Sequence, residues 1–269
     1  MKRKFDFYEW LVVKDSVIIW FVHFIYNERS LWGICDWRAK RDGKRMVKRL
    51  RVPGGDLFVA LNGPSIKKQP IERVKGMDCV FVNQGFKLPQ YKELKPKFHV
   101  FIDPKLIKGI WDIKWLDEIL SMVPDIIFVM PTAWSRLPMF KPYIEKGVKI
   151  LWWDAPSRFM THGVSGFVFQ LAWKLGYKRI YFSGYEQTAT PAYILKQASH
   201  FYGNDPDVMT HDYRYIMKDL SMNARHLAAA IRSANYARKI GVEMYNLTEG
   251  GIMDMFVRKR FEDVFSLKN

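Results

Sequence analysis

Small polar residues stand at the ends of the apolar runs of this chain. Asn62-Gly63-Pro64-Ser65 follows Leu57–Leu61, Asn83 follows Cys79–Val82, Asp103 follows HVFI, Trp153-Asp154 follows KILW, and Ser183-Gly184 follows RIYF. A buried strand that stops on such residues is what an open parallel sheet offers a ligand, because these sheets bind at the carboxyl ends of their strands. Gathered along one edge, the residues make a crevice of amides, hydroxyls and closely approachable backbone. That chemistry suits a nucleotide. At Asn62-Gly63-Pro64-Ser65 the glycine lets backbone amides approach a ligand, and Ser65 is placed to cap the next helix with its amide facing an anion. The turn lacks the second glycine and the Gly-Lys-Ser/Thr ending of a P-loop, and it is no GxGxxG fingerprint.

The elements that must position these residues alternate. Strand-like runs recur at 57–61, 79–82, 98–102, 126–130, 148–152, 179–183 and 242–246. Helical patterns fall after Pro64, around Ile113–Met122, over Gly166–Leu175 with Ser165 in the capping position and Gly176 as the stop, and over Asp219–Lys239. The alternation predicts an α/β fold, a mostly parallel Rossmann-like sheet with helices on both faces. Pro53-Gly54-Gly55 breaks the chain, so the expected division is an extension over 1–53 and a catalytic unit over 54–269.

Among 269 residues, 43 Lys and Arg oppose 27 Asp and Glu, a formal net charge of +16. Such a balance calls for an anionic partner. Cys35 and Cys79 are far apart, so neither a zinc site nor a disulfide framework is expected. Ser16–Tyr26 is apolar and aromatic but shorter than the ~20 residues of a membrane span. The basic run Arg38–Arg51 follows it, and the pair suits attachment to an anionic membrane surface. No secretory signal is visible, so the expected location is cytoplasmic, at the inner face of the membrane. Nucleic acid is not expected, since charge is its only support.

Four places together, NGPS after the first strand, VNQ at 82–84, SG at 165–166 with the helix leading into GYKRIYFSG, and SHFYGN at 199–204, give the chain its family likeness. Over roughly 57–250 it resembles the bacterial sialyltransferases of glycosyltransferase family 42, together with the pterin diphosphokinase-like proteins of that superfamily. The resemblance implies that the unit over 54–269 is a nucleotide-sugar-binding catalytic domain, a GT-A-like sheet that holds a CMP-sugar without a metal and transfers the sugar with inversion. It implies that Asn62, Gly63 and Ser65 line the phosphate and ribose, that Asn83 contacts the nucleotide, that Ser165 and Gly166 face the phosphate, and that Ser183 and Gly184 face the cytosine or ribose. Asp103 belongs to the same nucleotide edge. The absence of a DxD-type carboxylate pair fits a site without metal; Asp205-Pro206-Asp207 is the nearest imitation.

The resemblance also implies a lid, here around 185–218, whose tyrosines donate to the leaving phosphate and whose histidine takes the acceptor proton. Tyr193 matches one tyrosine by its distance from Ser183-Gly184, and Tyr185 or Tyr202 stands for the other. The histidine is where the chain departs from the family: after His200-Phe201-Tyr202-Gly203 it has Asn204, and an amide is no useful base. His200, His211 and Asp205 are the alternatives. His162, just before Ser165, is near the expected crevice, and His226 reads as part of a packed helix face.

The expected activity is metal-independent, inverting transfer of an acidic sugar, sialic acid or Kdo-like, from a CMP-sugar to a membrane-associated glycan or glycolipid. No cofactor is expected. The alternatives are a Mg²⁺-dependent pyrophosphokinase of the pterin type and a non-catalytic nucleotide- or membrane-binding protein of the same fold.

Overall fold

The computed structural model describes residues 36–206, 208 and 212–266. His211 and the aromatic segment Ser16–Tyr26 lie outside the described residues. Eight strands form one sheet: β1 (Asp56–Ala60), β2 (Asp78–Val82), β3 (Phe98–Val100), β4 (Ile127–Met130), β5 (Ile150–Trp152), β6 (Arg179–Ser183), β7 (Glu243–Asn246) and β8 (Val257–Arg258). Their order is β5-β4-β3-β2-β1-β6-β7-β8, and every pairing is parallel. The chain winds outward from β1 to β5, returns to β6 on the other side of β1, and continues to β8. The switch point, where such sheets bind ligands, therefore lies between β1 and β6.

Strand periodicity decides what each face buries. Leu57 and Val59 of β1, Val80 and Val82 of β2 and Val100 of β3 point to one face, with Phe167, Val168 and Leu171 packed on them. Phe58, Phe81 and Phe128 point to the other, against Ile66, Tyr91, Leu116 and Phe261. Each fully buried aromatic or aliphatic side chain is worth about 1.5–3 kcal/mol. A sheet buried on both faces thus makes a rigid platform for the residues at its edge.

Five helices matter here: α1 (Trp37–Arg49), α2 (Trp115–Met122), α3 (Gly163–Leu175), α4 (Ala189–Ile194) and α5 (Tyr213–Lys239). A short 3-10 helix follows Pro64, as the sequence suggested. Three differences from the sequence reading have local causes. Helix α3 starts at Gly163 with His162 in the capping position, so Ser165 sits inside the first turn instead of capping it. Helix α5 starts six residues before Asp219, because the Asp212 carboxylate accepts the Arg214 N–H and caps it there. Strand β8, two residues long, carries too little pattern to be recognised from sequence.

The basic run is itself a helix that packs on the sheet. Asp36 caps α1 through the Ala39 N–H at 3.1 Å, and its other oxygen accepts from Ser135 and Arg136 at 2.8 and 3.2 Å. Val47 enters the core. Gly43 lies so close to β5 that an added Cβ would come within 2.1 Å of the Trp152 carbonyl oxygen. Arg38, Lys44, Arg45, Lys48 and their neighbours remain on the outward side. Among the described residues, no helix is long and apolar enough to cross a membrane.

Candidate active site at the β1/β6 switch point

A cavity of about 670 Å³ opens at the carboxyl edge of the sheet. Asn62, Gly63, Asn83, Asp103, Ser165 and Gly184 line it from the strand ends and α3, and Tyr185, Tyr193, His200, Tyr202 and Asp205 line it from the segment that joins β6 to α5. Most residues singled out from sequence therefore meet in one place. Three do not line it. Ser183 is fully buried and its hydroxyl is hydrogen-bonded to Gln69, behind the crevice wall. Gly166 serves packing, since a Cβ there would come within 2.0 Å of the Met160 carbonyl oxygen. The Ser65 N–H faces an anion, as expected, but that anion is the protein's own Glu186 carboxylate at 2.8 Å.

The two strand ends at the switch point are stitched together. Gly63 N–H donates to the Gly184 carbonyl at 2.8 Å. Gly184 has φ +74°, and an added Cβ would come within 2.4 Å of the Leu61 carbonyl oxygen, so only glycine fits this turn. Asn83 ends β2 with φ +47°, a conformation asparagine tolerates better than most residues. Its carbonyl is held by His99 Nε2 at 2.8 Å. A carbonyl only accepts, so Nε2 carries the proton, and Nδ1 accepts from the Tyr91 hydroxyl at 2.9 Å. Complete burial of this ring pushes its pKa down to about 3, so His99 is a neutral support beneath the crevice.

Asp205 is already satisfied. Lys105 Nζ and Gln84 Nε2 donate to it at 2.8 and 2.7 Å, and Trp111 Nε1 donates at 3.3 Å. The carboxylate ties the β6–α5 segment to the loops after β2 and β3, which is a fastening role and removes it as a base. Asp207 lies outside the described residues. Among those described, no three His, Cys, Asp or Glu side chains stand together to hold a metal.

Asn204 organises the loop in which the base was sought. Its Nδ2 donates to the Gln197 carbonyl at 3.3 Å, which fixes Oδ1 as the acceptor. Oδ1 receives both the Ser199 N–H and the Ser199 hydroxyl at 2.9 Å. With that hydroxyl's one proton committed, the 2.8 Å contact between Ser199 Oγ and His200 Nδ1 is a bond donated by the imidazole. Nε2 is left with its lone pair. Burial holds the His200 pKa below its ordinary value, against the opposing charge of Asp205, so the ring is neutral at pH 7. It stacks on Tyr202 with centroids 5.0 Å apart.

The tyrosines divide. Tyr193 lies with its hydroxyl 3.3 Å from Ser199 Oγ, and burial raises its pKa, so it remains a phenol and a donor. Tyr202 is likewise raised, by burial and then by Asp205. Tyr185 is a core residue: its ring packs on Phe169 and Phe182, its hydroxyl bonds Ser165, and burial lifts its pKa to about 12. Its work is to hold Ser165.

His162 and His226 line the far wall with ring centroids 6.0 Å apart. Burial lowers both pKa values, that of His226 to about 4. His226 is thus a wall residue of the crevice as well as part of a packed helix. Glu186 and His99 escaped the sequence reading. Glu186 had a usable signal, a carboxylate two residues past the Gly184 turn at a strand end; His99 had none, since a histidine inside an apolar run looks like any core residue.

No family model matches the chain, and no curated protein matches it. Among solved structures the chain is similar to the MAf glycosyltransferase from Magnetospirillum magneticum AMB-1, at 12% identity and a TM-score of 0.50 over 81% of this chain. The match spans 35% of that protein's length. At this identity the likeness establishes a shared glycosyltransferase-like α/β fold. Membership of family 42 is narrower than what it establishes.

Proposed function

We propose that this chain transfers a glycosyl group from a nucleotide-sugar, held at the β1/β6 switch point, to an acceptor hydroxyl. The observation that carries the reading is the convergence on one cavity of the strand-end residues with Tyr193, Tyr202 and His200, the last with Nε2 as a proton acceptor. The donor we favour is a CMP-activated acidic sugar, sialic acid or Kdo-like, and the acceptor a membrane-associated glycan. Helix α1, with seven basic residues on thirteen positions, would turn toward the anionic surface that displays it.

In this mechanism the acceptor hydroxyl attacks the anomeric carbon from the side opposite the phosphate and its proton passes to His200 Nε2. The bond from the anomeric carbon to the phosphate oxygen breaks, and its electrons leave with the nucleoside monophosphate. Tyr193, with Tyr202 beside it, donates to that phosphate as charge develops. The phosphate lies toward Ser165, where the first turn of α3 has no side-chain cap on its free N–H groups and no acidic residue. No step calls on a metal.

The test is product analysis by ³¹P, ¹H and ¹³C NMR after incubation of the full chain with CMP-sialic acid or CMP-Kdo and a glycan acceptor in EDTA, and in a parallel sample with ATP, Mg²⁺ and a pterin acceptor. The reading predicts release of CMP with a new glycosidic bond of inverted configuration. AMP formed only from ATP with Mg²⁺ would instead identify a pyrophosphokinase.

A further inference from the structure

Glu186 is 7% exposed and lines the crevice between Gly63 and Gly184. Its Oε1 accepts the Ser65 N–H at 2.8 Å, while Oε2 is buried with no hydrogen-bond partner. Oε2 stands over the bare Cα of Gly63, where an added Cβ would come to 1.4 Å. The backbone of Glu186 is clamped: Ile252 N–H donates to its carbonyl at 3.1 Å, and a Cβ on Gly251 would come within 2.5 Å of its Cα. A buried carboxylate oxygen without a donor is costly, and such orphans in folded proteins ask for an explanation. Asn83 Oδ1, buried in the same wall, also has no partner.

We propose that Glu186 is the nucleoside-recognition residue of this crevice: its free oxygen accepts a hydrogen bond from a hydroxyl or amino group of the nucleoside, and its charge sends the phosphate to the opposite wall. The inference rests on the nucleotide-sugar reading above and gives that reading a direction. A strand-to-helix turn after β1 would ordinarily offer its N–H groups to a phosphate. Here the Ser65 N–H is taken by a carboxylate, and a second anion in contact with it in a desolvated site would be repelled. The group that fits must be neutral or cationic and must have hydrogens to give. Ribose hydroxyls and base amino groups meet that requirement; a phosphate does not.

Glu186→Gln keeps a carbonyl oxygen for the Ser65 N–H and turns the free acceptor into an NH₂ group. Isothermal titration of the full chain in EDTA, with CMP, UMP, GMP, AMP and inorganic pyrophosphate, reads the consequence. The nucleotide that the unaltered protein binds most tightly should lose at least about tenfold in affinity in the variant, while pyrophosphate stays within about twofold. Equal affinity for that nucleotide in both proteins overturns the role of Glu186 alone. An unaltered protein that binds none of the four overturns the nucleotide reading with it. A loss seen only when Mg²⁺ replaces EDTA assigns the oxygen to a metal and overturns the proposal. A second measurement needs no variant: on the unaltered protein, either the 2′,3′-dideoxy analogue or the analogue with its amino group dimethylated should bind at least about tenfold more weakly than the parent nucleotide. Undiminished binding of both overturns the proposal as well.

Discussion

The imidazole of His200 gains its direction from two neighbours that do no chemistry themselves. Asn204 Oδ1 accepts the hydrogen bond of the Ser199 hydroxyl, and Ser199 Oγ in turn accepts that of His200 Nδ1–H. If this ordering matters, Ser199→Ala and Asn204→Ala should each lower kcat by about tenfold with KM little changed, and the double variant should lose little more than either one. Independent, multiplying losses would separate the two residues. The lowered His200 pKa also sets the sign of the pH dependence. The base works when neutral, so kcat should hold through pH 7 and fall on the acid side, with its midpoint below the ordinary 6.5. A midpoint at or above 6.5 would contradict the placement of the ring. At this scale the sequence was half legible. It offered His200 and Tyr193, but Asn204 read as a missing base, because a side chain that acts by fixing another's proton has no pattern of its own.

Elements were the most legible part of the chain. Seven of the eight strands fall on apolar runs visible in the sequence, since a sheet covered on both faces needs short continuous apolar segments bounded by turns. Helix α1 escaped because its buried stripe is only Gly43 and Val47, hidden among basic residues. Its docking rests on the absence of a side chain at 43. Gly43→Ala would drive a methyl group into the Trp152 carbonyl and should cost about 1–3 kcal/mol, read as a lower urea midpoint with an unchanged m-value. A variant as stable as the parent would mean that α1 does not sit on β5. The crevice itself was legible as an edge but not as a shape. The six residues from Gly184 to Ala189 turn back through Gly184 and Gln187, both at positive φ, and no periodicity signals that path.

For the whole molecule, two histidines, His99 fully buried and His226 half-buried in the crevice wall, tie stability to pH. His99 and His226 have folded pKa values near 3 and 4 against an ordinary 6.5. Depressed values mean that stability is fully present above pH 6.5 and is lost as the pH falls and the unfolded chain takes up protons that the folded one refuses. Each contributes a slope approaching about 1.4 kcal/mol per pH unit. Between pH 6.5 and 5, urea midpoints should fall with decreasing pH, and His226→Gln should remove about one proton's share of that slope. An unchanged slope would show that His226 is not held neutral. The excess of positive charge belongs to this scale too: the full chain should sediment with phosphatidylglycerol vesicles at low ionic strength and be released by about 0.5 M salt. Binding equally to uncharged vesicles would remove α1 and its basic face from membrane attachment.

The most direct test of the central claim is release of nucleotide from a panel of nucleotide-sugars, CMP-sialic acid and CMP-Kdo first, by the full chain and by His200→Ala. The account predicts turnover of a donor in EDTA that falls at least about a hundredfold in the variant while donor affinity stays nearly intact. Turnover of a donor at the same rate in both proteins, or of none by the unaltered chain, would contradict it.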